Sequence, residues 1–484
     1  MVLGRGCNDR LQATTKLGCI GKKDIFGQDP RSLQRLNPAQ TGRRGRIDLF
    51  GQFRICHVAA PLQGLNDPGV QSIHEEPAIL RHFDEDIDHI LHKKPIGMRT
   101  KSTLWPNRRN HVTFQIGIGP NIRKSVYFDA VLADGVSSFS VYNHMLIPAI
   151  FGNPQAEYDS LMTGVAMWDV AAQRQVEISG PDAAQLIQYL TTRDVSKTKI
   201  GQGRYVPICN HEGMLINDPV LLKLASDRYW LSIADSDIEL WASAIAAERG
   251  WDVRVFEPDV SPLAIQGPKA ESLVADLFGS RVKEFKYFGF EQTELQGIPL
   301  VLARSGWSKQ GGFELYLQDG SRGVELWNIV KAAGAAYGIR PGAPNDIERL
   351  ESGLVSYGAD GRLQTTPCNP FEISLGKLVD FDKSDDFVGR KALLKIKKEG
   401  VKRRRVGYVI SGAPIQACQH SLEVRDALGQ IVGILSDFVY SPRFSRNIGV
   451  GMIAAEVADD ASDLVILLDG APRQITIKEQ PFRF

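Results

Sequence analysis

Alternation of apolar and polar positions picks out a strand over residues 313–317. Phe313 and Leu315 fall on one face, and Glu314 and Tyr316 on the other. The stretch before it, 304–312, has no period and crowds together Trp307, Ser308, Lys309 and the pair Gly311-Gly312. Two glycines let the backbone turn sharply or come close to a flat ligand. An acid, a phenol, an indole and an ammonium converging on a glycine turn suit a small charged substrate beside a planar cofactor. A polar hairpin with a structural Trp is the plainer reading.

Strand patterns recur at 175–180 and 263–267, and each runs through a Gly-Pro step into a helix, ending at Leu190 and Phe278. Pro181 and Pro268 are expected at the first helical position, where a missing N–H costs nothing. Both segments read Ile-x-Gly-Pro-x-Ala-x-x-Leu, from Ile178 to Leu186 and from Ile265 to Leu273. This predicts an internal pseudo-repeat and two related α+β halves. A helix is expected over 236–250, with a Ser236 cap and a Gly250 stop, and others over 322–337 and 344–354. Strands are expected at 220–224 and 229–233. Short strands with Gly turns at 405–410, 421–424, 431–435, 448–453 and 464–467 predict a small C-terminal barrel or sandwich. The basic run 390–405 reads as a solvated helix and linker, or as a patch for an anionic tail.

Residues 1–115 break from this pattern. They hold no Tyr, contain six of the nine His, and sustain no period of 2 or 3.6. The expected division is 1–119 as a poorly ordered or spurious extension, 120–395 as an enzyme domain of two α+β lobes, and 396–484 as a barrel. A start codon placed too far upstream would account for the extension, with the true start near Met98 or at a later non-Met codon. A disordered extension is the alternative. His82, His89 and His92 with intervening carboxylates have metal-ligand chemistry, but in such a segment they read as a chance cluster, so no metal is expected.

The net charge of +1 gives no sign of a nucleic-acid or membrane partner. No apolar run reaches the roughly 20 residues that span a bilayer. The six cysteines are scattered without a CxxC pair, which points to reduced thiols and a cytoplasmic protein.

A second constellation centres on Asp218, in Asn217-Asp218-Pro219, at the end of a hairpin and just before a buried strand. Asp before Pro is also an ordinary turn choice. Tyr205 offers another phenol, and Tyr142-Asn143-His144 a polar cluster. No P-loop, G-x-G-x-x-G, HExxH or serine triad order is present, which argues against phosphoryl transfer, Rossmann hydride transfer and zinc hydrolysis.

From about Tyr127 to Phe482 the chain resembles the folate-dependent aminomethyltransferase family, typified by the glycine-cleavage T-protein. The stretches that carry the likeness include Trp168-Asp169-Val170, Asn217-Asp218-Pro219, residues 261–268, residues 304–316, Ile347-Glu348-Arg349-Leu350-Glu351 and Tyr440-Ser441-Pro442-Arg443-Phe444. The resemblance implies an α+β fold: a three-lobed cloverleaf of two related α+β lobes and a C-terminal β-barrel around a central folate channel. It implies tetrahydrofolate as methyl acceptor, Asp218 beside its N5 as the catalytic residue, and Glu314 on the pterin ring. Tyr205 and Tyr357 are expected in the cofactor channel. The Trp307-Ser308-Lys309 insert is nearest to the demethylase branch. That implies methyl transfer from a small sulfonium, dimethylsulfoniopropionate, to give 3-(methylthio)propionate and 5-methyltetrahydrofolate. Trp307 and Tyr316 would hold the cation, Lys309 or His144 the carboxylate, and Ser308 would orient it, with Tyr142 in the same polar cluster. The alternatives are another methylated amine, sulfonium or aryl ether as donor, the glycine-cleavage reaction itself, or a folate-binding regulatory or assembly protein. A homodimer is left open.

Overall fold

The computed structural model describes residues 119–416, 421–459 and 463–484. The extension and its His82/His89/His92 cluster lie outside the described residues.

Two sheets and a barrel carry the rest. The larger sheet runs in the order Phe290–Leu295, Ile298–Ala303, Gly312–Leu317, Ser261–Gln266, Val165–Asp169 and Ile339–Gly342. Every neighbouring pair in it is antiparallel except the last, which is parallel. Phe313, Leu315 and Leu317 enter one core with Leu263, Ile265, Trp327 and Leu273, while Tyr316 enters another with Leu222, Trp230 and Phe290. The alternation therefore sends this strand's two faces into different cores, and Glu314 shares the second face with Tyr316.

The smaller sheet is fully antiparallel, in the order Arg254–Phe256, Gln175–Ser179, Arg228–Ser232, Val220–Ala225 and Gln202–Tyr205. The two copies of the repeated motif stand alike, as strand, turn and helix: Gln175–Ser179 leads to the helix Ala183–Leu190, and Ser261–Gln266 to Ala270–Phe278. Gly180 and Gly267 have φ of +131° and +123°, and a Cβ at either would lie 2.6 Å from a carbonyl oxygen. This backbone region and this closeness admit only glycine. Neither proline opens its helix, however. Each occupies the turn, and helical geometry begins two residues later.

Ser236 is not the cap of its helix, which runs Ile238–Arg249 from Asp237. Its hydroxyl donates instead to the Ile216 carbonyl (2.6 Å) and accepts from Asn217 (2.8 Å). Gly250 ends the helix in the left-handed region, at φ +66°.

The C-terminal lobe is a closed antiparallel barrel of Arg403–Ile410, Arg446–Ala454, Ile431–Ser441, Leu422–Arg425, Leu464–Leu468 and Ala471–Lys478. The last strand is one the pattern does not reveal. The basic run divides in two. Arg390–Glu399 is a helix that buries Leu393, whereas Arg403, Arg404 and Arg405 lie in the barrel wall, paired with Glu372, Asp459 and Asp360. Among the described residues no helix is long and apolar enough to cross a membrane.

Candidate functional site

Asp218 follows the short hairpin of Ile208–Cys209 and Leu215–Asn217 and precedes the strand Val220–Ala225. Its neighbour Asn217 is fully buried, bonding the Ala234 carbonyl (2.9 Å), the Ala234 N–H (3.0 Å) and the Ser236 hydroxyl. These bonds fix the backbone from which the Asp218 side chain springs. Strand register sets Tyr205 opposite Val220, and the Tyr205 hydroxyl donates to Asp218 Oδ2 at 2.7 Å.

Loss of hydration pushes the Asp218 carboxyl up to about 7, against the opposing pull of the Tyr205 hydrogen bond; the Asp360 charge adds to the rise. Burial and the Asp218 charge in turn hold the Tyr205 phenol well above its usual range. Tyr142 is raised by burial first, then by Asp218 and Asp235, and Tyr357 by burial with a smaller push from Asp218. The Asp218 carboxyl thus carries one bonded phenol, Tyr205, and has two more, Tyr142 and Tyr357, within electrostatic reach.

Tyr142 stands beside a two-residue hairpin turn, Asn143-His144, with φ of +48° and +59°. Asn143 is buried and bonds the Ala172 and Ala234 carbonyls (3.0 and 3.1 Å), while its N–H reaches Asp235 (2.9 Å). His144 itself is exposed.

Glu314 is buried on the central strand Gly312–Leu317. Ser305 and Tyr316 (3.1 Å) both donate to its Oε2. Oε1 receives no protein hydrogen bond among the described residues. Desolvation raises the Glu314 carboxyl, and the two hydroxyls oppose it. Tyr316 is also fully buried, its ring tilted 6.3 Å from that of Trp230. It touches the site through its hydroxyl rather than through an open ring face. Ser305 and Tyr316 share a close-packed cleft with Val220, two residues beyond Asp218. The strand that follows Asp218 and the two donors of Glu314 therefore meet at one junction between the sheets.

Within the connection 304–311, residues 307–309 are each held by a bond to another part of the chain. Trp307 Nε1 donates to the Val355 carbonyl (3.3 Å), the Ser308 hydroxyl to Gln266 Oε1 (2.8 Å), and the Lys309 N–H to Glu348 (3.0 Å). The Lys309 side chain is exposed. The close approach at Gly312 is not to a ligand: a Cβ there would meet Gln266 Nε2 at 2.4 Å and the Ile265 carbonyl at 2.5 Å. Gln266 fills the space that Gly306 and Gly312 leave. A Gly312→Ala variant should lose about 1–3 kcal/mol of stability, measured as a lower urea midpoint at unchanged slope. A wild-type midpoint would show that the Gln266 contact is not tight.

Gln266, Glu348, Arg349 and Asp360 are site-building residues that the sequence reading did not single out. Arg349 is buried, reaching Asp360 at 2.8 Å and Asp437 at 2.5 Å, and Arg405 reaches the other Asp360 oxygen at 3.2 Å. The available signal was the short segment Asp346–Ser352, with charged residues at four of seven positions between an Asn cap and a Gly stop. A cavity of about 360 Å³, lined by His211, Ile216, Ser236, Trp241, Tyr357 and Leu363 among others, adjoins Asp218 through Tyr357.

A pair of buried or half-buried carboxyls between two α+β lobes, backed by a barrel, matches a known class. Residues 127–383 match the model of the GCVT N-terminal domain, and residues 403–483 that of the glycine cleavage T-protein C-terminal barrel domain. The chain belongs to the glycine-cleavage T-protein (aminomethyltransferase) family. It is 41% identical over 378 residues to the dimethylsulfoniopropionate demethylase DmdA of Ruegeria pomeroyi, covering 78% of this chain and 99% of that one. It is 30% identical over 342 residues to the aminomethyltransferase of Caldanaerobacter subterraneus subsp. tengcongensis, covering 69% of this chain and 89% of the relative. The crystal structure of the glycine cleavage system aminomethyltransferase T from Bartonella henselae superposes with a TM-score of 0.65 at 22% identity. That match covers 74% of this chain and 98% of the other, and it shows the shared fold.

Proposed function

We propose that the protein is a tetrahydrofolate-dependent methyltransferase that demethylates dimethylsulfoniopropionate, releasing 3-(methylthio)propionate and forming 5-methyltetrahydrofolate. The supporting observation is the pair Asp218 and Glu314: two desolvated carboxyls, each bonded by phenol or hydroxyl donors and, among the described residues, neither paired with a cation. The chain's likeness to the Ruegeria demethylase indicates the donor.

The residues present suit a folate. Among the described residues Glu314 keeps one carboxylate oxygen without a protein donor, which is what a ring with adjacent N–H groups requires. When bound, the folate supplies the N5 that accepts the methyl group. The S–CH3 bond breaks as the N5–CH3 bond forms, and the electron pair stays on sulfur. Asp218 would orient N5 and take its proton, a role that a carboxyl titrating near 7 can fill at neutral pH. Trp307 would hold the sulfonium against its ring face, worth roughly 0.5–2 kcal/mol. Ser308, with Lys309 or His144, would receive the carboxylate. Tyr316 would act at one remove, by fixing Glu314. Tyr142, Tyr205 and Tyr357 would keep water from Asp218 and line the path of the cofactor. Much of the rate would come from holding the methyl group between two fixed atoms.

The test is incubation with tetrahydrofolate and dimethylsulfoniopropionate, followed by detection of both products. No product from this donor but 5-methyltetrahydrofolate from another would reject the donor and keep the class. Glu314→Gln should raise the KM for tetrahydrofolate about 10- to 100-fold, the loss of a hydrogen bond to a charged group. The KM for the donor should barely move, and equal shifts in both would remove Glu314 from the cofactor side.

A further inference from the structure

We infer that Glu348 is a positioning residue that holds the connection 305–311 in its donor-binding form. The inference rests on the reading above for what the connection binds, but not for how it is held.

Glu348 is 1% exposed, on the helix Asp346–Ser352. A carboxylate is costly to bury unless donors surround it. Here one oxygen, Oε1, collects three: the Lys309 N–H at 3.0 Å, the Gln310 side-chain amide at 3.0 Å and the Ser352 hydroxyl at 2.5 Å. Two of the three come from the connection, 38 and 39 residues away. The third comes from the same helix and presets the carboxylate's orientation. The helix is itself clamped on its other faces. Asn345 caps it at the Glu348 N–H (3.0 Å), Arg349 is tied to Asp360 and Asp437, and Glu351 accepts from Tyr158 and Ser441. Glu348 therefore reaches the connection from a rigid base.

The connection has no regular structure between the strands Ile298–Ala303 and Gly312–Leu317. Its ends are held at the Ser305 and Gly311 carbonyls, by the Gln266 side-chain amide (3.1 Å) and the Gly267 N–H (2.9 Å), and between them the Gln266 and Val355 bonds hold Ser308 and Trp307 through their side chains. Among the described residues outside the connection, only Glu348 takes one of its backbone N–H groups, that of Lys309. Lys309 is exposed and its backbone is tied at Glu348, so the Glu348 bond sets where its ammonium emerges relative to the Trp307 ring. A ligand carrying a cation and a carboxylate a fixed distance apart would read that relation directly.

The experiment uses full-length Glu348→Leu and Glu348→Gln. Hydrogen exchange of the peptide spanning 304–312 reports on the anchor without any substrate. In the Leu variant it should quicken about 10-fold or more as the Lys309 amide loses its acceptor. The KM for dimethylsulfoniopropionate should rise about 10-fold while that for tetrahydrofolate stays within about 2-fold. The Gln variant keeps a carbonyl acceptor and should restore most of both. Unchanged exchange in the Leu variant overturns the inference whatever the donor, and so does an equal rise in both KM values. Faster exchange in a protein whose wild type does not turn over dimethylsulfoniopropionate supports the anchor and rejects the proposed donor instead.

Discussion

Asp218→Asn should lower kcat by about 10²- to 10⁴-fold, the usual worth of a positioned acid–base group, and should leave the protein folded. Asn keeps an oxygen for the Tyr205 hydroxyl, so the local hydrogen bond survives. What disappears is the group that can take a proton. In the wild type, kcat/KM should rise with pH through about 7 as the carboxyl ionises; in the variant that limb should be gone. The stability change has the opposite sign. The folded carboxyl holds its proton up to about 7, against an ordinary value of 3.8. Between those values the folded state binds more protons than the unfolded chain, so this group's contribution to stability falls as pH rises. Asn removes that burden. Its Tm should match or exceed the wild-type value at pH 8, and the gap should narrow as pH drops from about 7 to about 4. A variant that is inactive because it is unfolded would fail this comparison, and one that retains full activity would remove Asp218 from the chemistry.

Much of this site could be read from neighbouring residues. The alternation at 313–317 placed Glu314 and Tyr316 together, and the step from hairpin to strand placed Asp218 at a strand end, because both signals are local. The glycine pair was read as a sharp turn or as close approach to a flat ligand; what approaches Gly312 is Gln266, 46 residues upstream, while Gly311 stands open. Ser236 looked like a cap because cap chemistry and buried-bridge chemistry use the same hydroxyl; only the proximity of Ile216 and Asn217 decides between them. Tyr316 looked like an open aromatic wall, yet a period of two gives a face and not a depth. Trp230, from the other sheet, is what closes over it. The polar helix Asp346–Ser352 hid its role most completely. Glu348, Arg349 and Glu351 point to three different surroundings, and each has at least one partner 38 to 193 residues away. No period within seven residues records that.

The same helix carries the largest expected stability effect. Arg349→Met should cost about 3–5 kcal/mol, the range found when one partner of a buried ion pair is removed. For a domain this large that corresponds to a Tm drop on the order of 10 °C. Arg349 and Asp360 are each 1% exposed, so water cannot replace the lost partner. Asp360 would keep Arg405 at 3.2 Å and the Ser356 N–H at 2.8 Å. Asp437 would lose the cation that now opposes its desolvation, which already pushes it up to about 6. Met fills most of the volume, so the loss would be electrostatic rather than a cavity. Adding Asp437→Asn to Arg349→Met should then recover part of the stability, because a neutral amide needs no cation there. A double variant less stable than the sum of the two single changes would contradict this account. Activity should fall as well, in proportion to how far the 355–360 segment shifts. Asp360 anchors that segment through Ser356, and Tyr357 is the next residue, in electrostatic reach of Asp218. An Arg349→Met protein assayed well below its Tm should therefore show a weakened KM for tetrahydrofolate before it shows any loss of secondary structure. The ion cluster ties the barrel, the short helix and the segment that carries Tyr357.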